Sequence, residues 1–256
     1  MSHPFEPMDS LPGRIAVITG GTGAIGLASA KRLAALGARC VLLYNSESAQ
    51  SASDKVATLP GTGHMCFQAP ITDSATLTAV AKEIEKQCGV VHILINSAGY
   101  TKAVPATDLD ALSDELIDDI LRVNFRGVMA TIRAFMPLLQ KSEDGLIVNI
   151  SSIAGFTGTG SNLAYVAAKA SIDVVGDALA KAFAPLVRVI SVSPGVVDST
   201  FVPGRGADFN TKVAGTIPLR RIGTVDDVAA VVQACATTMR YVTGTRIVVD
   251  GGRHLS

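Results

Sequence analysis

The chain has 256 residues, 48% of them hydrophobic and 17% charged, where roughly 25% charged is usual for a soluble domain. That composition excludes disorder and supplies one large core, since α/β folds of about 200–250 residues commonly close around a single domain. Lysine plus arginine, 22, equals aspartate plus glutamate, 22, so no basic field marks a nucleic-acid or anionic-membrane surface.

Residues 1–12, with three prolines, Glu6 and Asp9, read as a flexible tail rather than a basic and apolar leader, and 13–256 read as one domain. Strands are expected at 14–19, 39–44, 64–67, 91–96, 146–151, 187–193 and 246–249, with helices near 24–36, 47–58, 74–88, 112–140, 162–184 and 225–239. Short β-branched runs alternating with Ala-rich stretches are the pattern of βαβ units on a parallel sheet. Several runs, such as IAVIT, ILIN and LIVNIS, are continuously apolar, as strands covered on both faces should be. The expected fold is a Rossmann-type, doubly wound parallel sheet of about seven strands with helices on both faces.

The first strand runs directly into Thr19-Gly20-Gly21-Thr22-Gly23-Ala24-Ile25-Gly26 and then a helix. Glycines there let backbone approach a pyrophosphate, and the N–H groups of the helix start form an anion site. The second strand ends Leu43-Tyr44-Asn45-Ser46. An NAD-type site carries a carboxylate at that point, which binds the ribose and repels a 2′-phosphate; Tyr44 stands there instead. NADP(H) is therefore the favoured cofactor, with NAD(H) the alternative, although no Arg or Lys is adjacent and Glu47 opposes a phosphate.

Within the expected helix 112–140, Asn124 and Gly127 both cost helix stability, so local propensity is overridden there. Arg122, Arg126 and Arg133 fall within about 40° of one another at 100° per residue, a stripe suited to ion pairs or to an acidic carrier protein. Tyr165 and Lys169 lie one helical turn apart and share a face. A phenol ordinarily ionises near about pH 10, and a neighbouring ammonium lowers that value towards neutrality, making the pair a plausible acid–base device. Ser152 ends an apolar strand, at the edge where parallel sheets bind ligands, with Ser151 as the runner-up. Residues 199–222 show no periodicity and carry Pro203, Gly204, Gly206, Gly215 and Pro218, which reads as a substrate loop. Arg205 in that loop is a candidate clamp for an anionic group.

Cys40, Cys66, Cys88 and Cys235 form no CxxC, and the four histidines form no cluster, so neither a metal site nor a disulfide framework is expected. No run of 18 apolar residues occurs. A reduced, cytoplasmic protein follows.

The motifs taken in order resemble the short-chain dehydrogenase/reductase family along almost the whole chain. Thr19, Gly20, Ala24 and Gly26 match TGxxx[AG]xG, and Asn96-Ser97-Ala98-Gly99 is similar to NNAG with one change. Asn124 and Gly127 match NxxG, Ser151-Ser152 the strand-end serine, Tyr165 and Lys169 YxxxK, and Pro194-Gly195 the PG turn. The resemblance implies Ser152, Tyr165, Lys169 and Asn124 as catalytic residues, with Asn124 in a water relay behind the lysine and Thr19 bracing the central strands with Asn96. It implies a cofactor bound by Gly20, Thr22, Gly23, Ala24, Ile25, Gly26, Tyr44, Asn45, Ser46, Asn96, Ala98, Gly99, Tyr165, Lys169, Pro194, Gly195, Val197 and Ser199. Two departures stand out: the adenine-contacting Asp of the family's DVTD pattern is replaced in Pro70-Ile71-Thr72-Asp73, and its usual Asn on the sixth strand is Ile190.

Tyr100, Phe156, Leu163, Val196 and Phe201 are the candidate substrate contacts, with Phe209 nearby, and they suggest an apolar pocket. The implied activity is hydride exchange between a nicotinamide cofactor and a carbonyl or secondary alcohol, of ketone or 3-oxoacyl type, by a homotetramer with a small-molecule substrate and no nucleic-acid or membrane partner. Two rivals remain: a cofactor-sensing binding protein, against which the intact Ser, Tyr and Lys argue, and a nucleotide-sugar epimerase or dehydratase. The alternative TGxxGxxG parse through Gly23 suggests the latter, but this chain lacks the larger C-terminal substrate region of such relatives.

Overall fold

Seven strands form one sheet in the computed structural model, which describes residues 10–203 and 208–255. They are β1 (Ile15–Thr19), β2 (Arg39–Tyr44), β3 (Met65–Gln68), β4 (Ile93–Asn96), β5 (Gly145–Ile150), β6 (Val187–Pro194) and β7 (Thr245–Val249). Every pairing is parallel, in the order β3-β2-β1-β4-β5-β6-β7. The chain reverses direction across the sheet between β1 and β4, which places a crevice at their C-terminal ends. This is the doubly wound architecture expected from the sequence.

Alternation along each strand feeds two cores. Val17, Val41, Leu94, Ile147 and Val189 pack with α3 (Ser74–Cys88), α5 (Val128–Lys141) and α7 (Leu163–Phe183) on one face. Ile18, Leu42, Ile95, Val148 and Ile190 pack with α1 (Ala24–Ala35) and α9 (Val225–Ala236) on the other. Both faces being dry explains why the strands read as unbroken apolar runs. Ile190, the departure noted on the sixth strand, is fully buried in the second core.

Caps set the helix starts. Ser48 accepts from the Ser51 N–H at the start of α2 (Ala49–Ala57), and Asp73 accepts from Ala75 and Thr76 at the start of α3. Ser113 caps α4 (Asp114–Leu121), and Thr224 with Asp227 forms a reciprocal capping box on α9. By contrast, α1 begins at Gly23 with no side-chain cap and no acidic residue in its first turn.

Three expectations change. The helix expected over 112–140 is α4, a π-helical turn at Arg122–Gly127, and then α5; a uniform 100° per residue does not hold through that turn, so the angular spacing of the three arginines reckoned on it does not carry over. Arg122 instead pairs with Asp119 at 2.6 Å, and Arg126 donates to the Thr72 carbonyl. The stretch over 199–222 contains α8 (Phe209–Ala214), while Arg205 lies outside the described residues. Residues 1–9 of the expected tail also lie outside them, but Leu11 is buried and donates its N–H to the Leu36 carbonyl, so packing begins before residue 13. A short helix not expected from sequence, α6 (Ala154–Thr157), follows β5.

The β1–α1 turn tolerates no side chain at Gly26: a Cβ there would press into the Gly20 carbonyl oxygen and reach 3.0 Å from the Gly21 Cα. Both neighbours are backbone, so nothing can rotate away. Gly26→Ala is expected to cost about 1–3 kcal/mol of stability by overpacking, measured by urea denaturation; an unchanged midpoint contradicts this packing.

Candidate active site

The turns after β1 and β4 lock together across the crevice. Gly20 has φ +58°, and a Cβ on it would stand 2.9 Å from the Ala98 Cα, a conformation and a closeness that only glycine allows. The Thr19 hydroxyl accepts from the Ser97 and Ala98 N–H groups, each at 3.2 Å, and donates to the Ile95 carbonyl at 3.4 Å. Asn96 lies below the crevice rather than along it, with Nδ2 donating to Asn149 Oδ1 of β5 at 2.8 Å.

A cleft of about 1780 Å³ opens above these turns. Of the expected cofactor residues, Gly20, Thr22, Gly23, Ala24, Ile25, Tyr44, Asn45, Ser46, Ala98, Gly99, Tyr165, Lys169, Pro194, Gly195, Val197 and Ser199 line it. Gly26 and Asn96 lie behind its wall: their work is close packing and strand bridging. Of the expected substrate residues, Tyr100, Phe156, Val196 and Phe201 line the cleft, as does Phe209. Leu163 does not; it is exposed at the first position of α7.

The first turn of α1, uncapped and facing the cleft, matches what a dinucleotide pyrophosphate requires, and Gly20 leaves the backbone bare beside it. Farther along, Glu47 accepts from Lys55 Nζ at 2.7 Å and from the Ser51 hydroxyl at 2.9 Å. Burial pushes its carboxyl up, but hydrogen bonds from Lys55, Thr22 and Ser51 outweigh that and hold it below the usual range. Sequence adjacency had offered no cation near Ser46; helix α2 brings Lys55 there from eight residues away. Ile71 and Thr72 line the cleft beyond the end of β3, whereas Asp73 is occupied as the α3 cap.

Asn162 fixes the start of α7. Its Oδ1 accepts from the Tyr165 N–H at 2.7 Å, and its Nδ2 donates to the Lys102 carbonyl at 2.7 Å, tying the helix start to the loop after β4. This buried residue was not singled out from the sequence, where only its N-cap residue type three positions before Tyr165 pointed to it. One turn along, Lys169 is 5% exposed and donates from Nζ to the Ile150 carbonyl at 2.7 Å, with Nζ 5.5 Å from the Tyr165 ring centroid. Burial pulls its ammonium down to about 8, while Asp173 pushes it back up. Phe201 packs on Tyr165 with ring centroids 6.1 Å apart.

The two serines divide. Ser151 is buried and donates to the Lys169 carbonyl at 3.4 Å. Ser152 is half-buried on the cleft wall and accepts from the Ala154 N–H at 3.2 Å, so it also starts α6. A hydroxyl that accepts there keeps its proton for a second partner. Asn124 is fully buried in the π turn, where Nδ2 donates to the carbonyls of Tyr100 (2.7 Å) and Ile120 (2.9 Å) and Oδ1 accepts from the Tyr100 N–H. Its side chain thus ties the π turn to the loop that carries Tyr100.

Arg253 and His254 also line the cleft from the chain's C-terminal end. His254 accepts no signal from sequence spacing alone except its position four residues after Asp250, to which it is hydrogen-bonded at 2.8 Å.

Comparison with known proteins agrees with this construction. A family model described as Enoyl-(Acyl carrier protein) reductase matches residues 21–254. The chain is 34% identical over 245 residues to the granaticin polyketide synthase putative ketoacyl reductase 2 of Streptomyces violaceoruber, covering 94% of this chain and 96% of that one. It is 31% identical over 246 residues to the 3-oxoacyl-(acyl-carrier-protein) reductase of Escherichia coli, covering 95% and 98%. Among solved structures, a short-chain dehydrogenase/reductase from Burkholderia xenovorans superposes with a TM-score of 0.88 at 28% identity, covering 95% and 98%. The chain belongs to the short-chain dehydrogenase/reductase family, a family of oxidoreductases.

Lys169 generates a stability prediction. The folded chain releases its proton near about pH 8, whereas the unfolded chain keeps it to about 10.5. Between those values the unfolded state binds more protons, so stability rises with pH. Relative to Lys169→Met, the wild type should gain roughly 3 kcal/mol between pH 7.5 and 10.5 in urea titrations; parallel pH dependences contradict the burial of a charged lysine.

Proposed function

We propose, from membership of that family and from the placement of Lys169 beside Tyr165 under an apolar cleft, that the protein is an NADP(H)-dependent reductase of ketones or 3-oxoacyl thioesters. The observation that carries this reading is Lys169 Nζ, held on the Ile150 carbonyl and 5.5 Å from the Tyr165 ring. When bound, the cofactor supplies or accepts the hydride. Backbone at Gly20 and the first turn of α1 would hold its pyrophosphate, and Tyr44, Asn45 and Ser46 would take its adenosine ribose. Lys55 pairs with Glu47, so this carboxylate is compensated against repelling a 2′-phosphate.

Tyr165 then gives its phenolic proton to the substrate oxygen, and takes it back in the reverse direction. Lys169 stabilises the phenolate that this leaves, and Ser152 donates to the same substrate oxygen. Asn124 acts by position, holding the Tyr100 loop at the cleft mouth. Tyr100, Phe156 and Phe201 are each more than a third exposed along the cleft, as expected for side chains that wait to cover an apolar substrate. The relatives named as ketoacyl and 3-oxoacyl reductases support this substrate class.

Assembly as a homotetramer in the cytoplasm is part of this proposal. Val174 on α7 and Tyr241 before β7 are 66% and 104% exposed, apolar surface of the kind that subunits cover. No helix among the described residues is long and apolar enough to cross a membrane.

Tyr165→Phe tests the chemistry, because it removes one hydroxyl and leaves the cleft. With a ketone and NADPH, kcat is expected to fall about 10²–10⁴-fold while NADPH affinity is unchanged, and the wild type is expected to show a higher kcat/KM with NADPH than with NADH. Full activity in the variant contradicts the role of Tyr165, and a preference for NADH contradicts the cofactor assignment.

A further inference from the structure

Beneath the cleft the sheet carries a continuous polar row. Thr19, Asn96, Asn149, Ser191 and Arg246 are register partners across β1, β4, β5, β6 and β7. They follow Val17, Leu94, Ile147 and Val189 by two residues, so they share the face on which α7 packs. Gly176 of α7 lies over the middle of the row, where a Cβ would stand 3.6 Å from both Asn149 Nδ2 and Ser191 Oγ. Three residues earlier on the same helix face, Asp173 is 3% exposed, with Arg246 Nε at 3.9 Å from its carboxylate.

That carboxylate is under-satisfied. Neither oxygen completes a regular hydrogen bond, although the Ser151 and Ser191 hydroxyls stand close enough to favour its charge. A buried carboxylate in this state is costly to keep. It lies one helical turn beyond Lys169 and is the charged group that favours its ammonium: Nζ donates to a neutral carbonyl, and no salt bridge among the described residues includes it. The groups that face the pair are few. Lys169 and Tyr165 come from α7 itself, Ser151 from the turn just after β5, Ser191 from β6 and Arg246 from β7.

We propose that Asp173 is a positioning residue of the reductase site: its buried carboxylate, secured by Arg246, is the counter-charge that keeps the Lys169 ammonium protonated beside Tyr165. This rests on the acid–base reading of Tyr165 and Lys169. Burial works against both charges, pulling Lys169 down and pushing Asp173 up, and each opposes that pull on the other. Arg246 sits at the edge strand with its guanidinium 5.1 Å from the Phe156 ring centroid, so the same cation that holds Asp173 also touches the wall of the substrate cleft.

Asp173→Asn keeps the shape and removes the charge, and Asp173→Glu restores the charge. The readout is ultraviolet titration of tyrosine ionisation in the free protein, each variant measured against the same variant carrying Tyr165→Phe, so that the difference belongs to Tyr165. The expected result is a midpoint raised by about one pH unit in Asp173→Asn, a tenfold loss of phenolate, recovered in Asp173→Glu. Arg246→Gln should move the midpoint the same way, since an unsecured Asp173 loses its own charge. With a ketone and NADPH, kcat should fall about tenfold at neutral pH with KM little changed. A midpoint that stays or falls in Asp173→Asn overturns the proposal; if that variant does not fold, an unmoved midpoint in Arg246→Gln overturns it. The titration needs no turnover, so a raised midpoint in a protein that reduces no carbonyl would support the ion pair and reject the reductase reading instead.

Discussion

Lys169 is 5% exposed, and an ammonium withdrawn that far from water is tolerated only where acceptors and charge meet it. The Ile150 carbonyl meets it from the end of β5, four residues before α6 begins. The carboxylate of Asp173, one turn along the helix, favours its charge without closing a salt bridge to it. The position of α7 over the sheet follows from these contacts together with the Asn162 cap, which ties its first turn to the loop after β4. Tyr165 is then placed without choice, one turn before the lysine and between it and Phe201.

The sheet prepares this placement. Apolar alternation along the strands gives way, near their C-terminal ends, to a row of polar side chains on the α7 face. Asn96 and Asn149 satisfy each other in part, and the Thr19 hydroxyl takes the two N–H groups of the β4 turn. The same row that ends the dry core therefore fixes the two glycine-bearing turns against one another and carries Arg246 to the far edge. The core, the glycine turn after β1 and the placement of Tyr165 and Lys169 all stand on one transition from apolar to polar along parallel strands.

Most of this was legible in the sequence because parallel strands covered on both faces write themselves as unbroken apolar runs, and because the glycines and the Tyr–Lys spacing are constrained by backbone geometry. What escaped was what periodicity cannot register. A π turn inserts itself between α4 and α5 without changing the apolar content of 112–140; Asn124 and Gly127 were its trace, and Asn124 hydrogen-bonds from it to the Tyr100 backbone. Six residues of α8 are too few to show a period. Lys55 reaches Glu47 only because α2 folds back towards the β2 turn. Asp173 was not singled out from the sequence, where only its spacing of four residues from Lys169 pointed to it; its meaning depends on Arg246, which is distant in sequence and close only in the folded sheet.

The central claim is that this cleft passes a hydride to a carbonyl carbon while Tyr165 protonates its oxygen. The most direct measurement is a single turnover with reduced NADP carrying deuterium at the reactive nicotinamide carbon, against a panel of ketones and 3-oxoacyl thioesters, with the products read by mass spectrometry and NMR. The account predicts one deuterium on the carbinol carbon of the product alcohol from at least one class in the panel. Tight binding of the dinucleotide with no label transferred to any carbonyl carbon would contradict it.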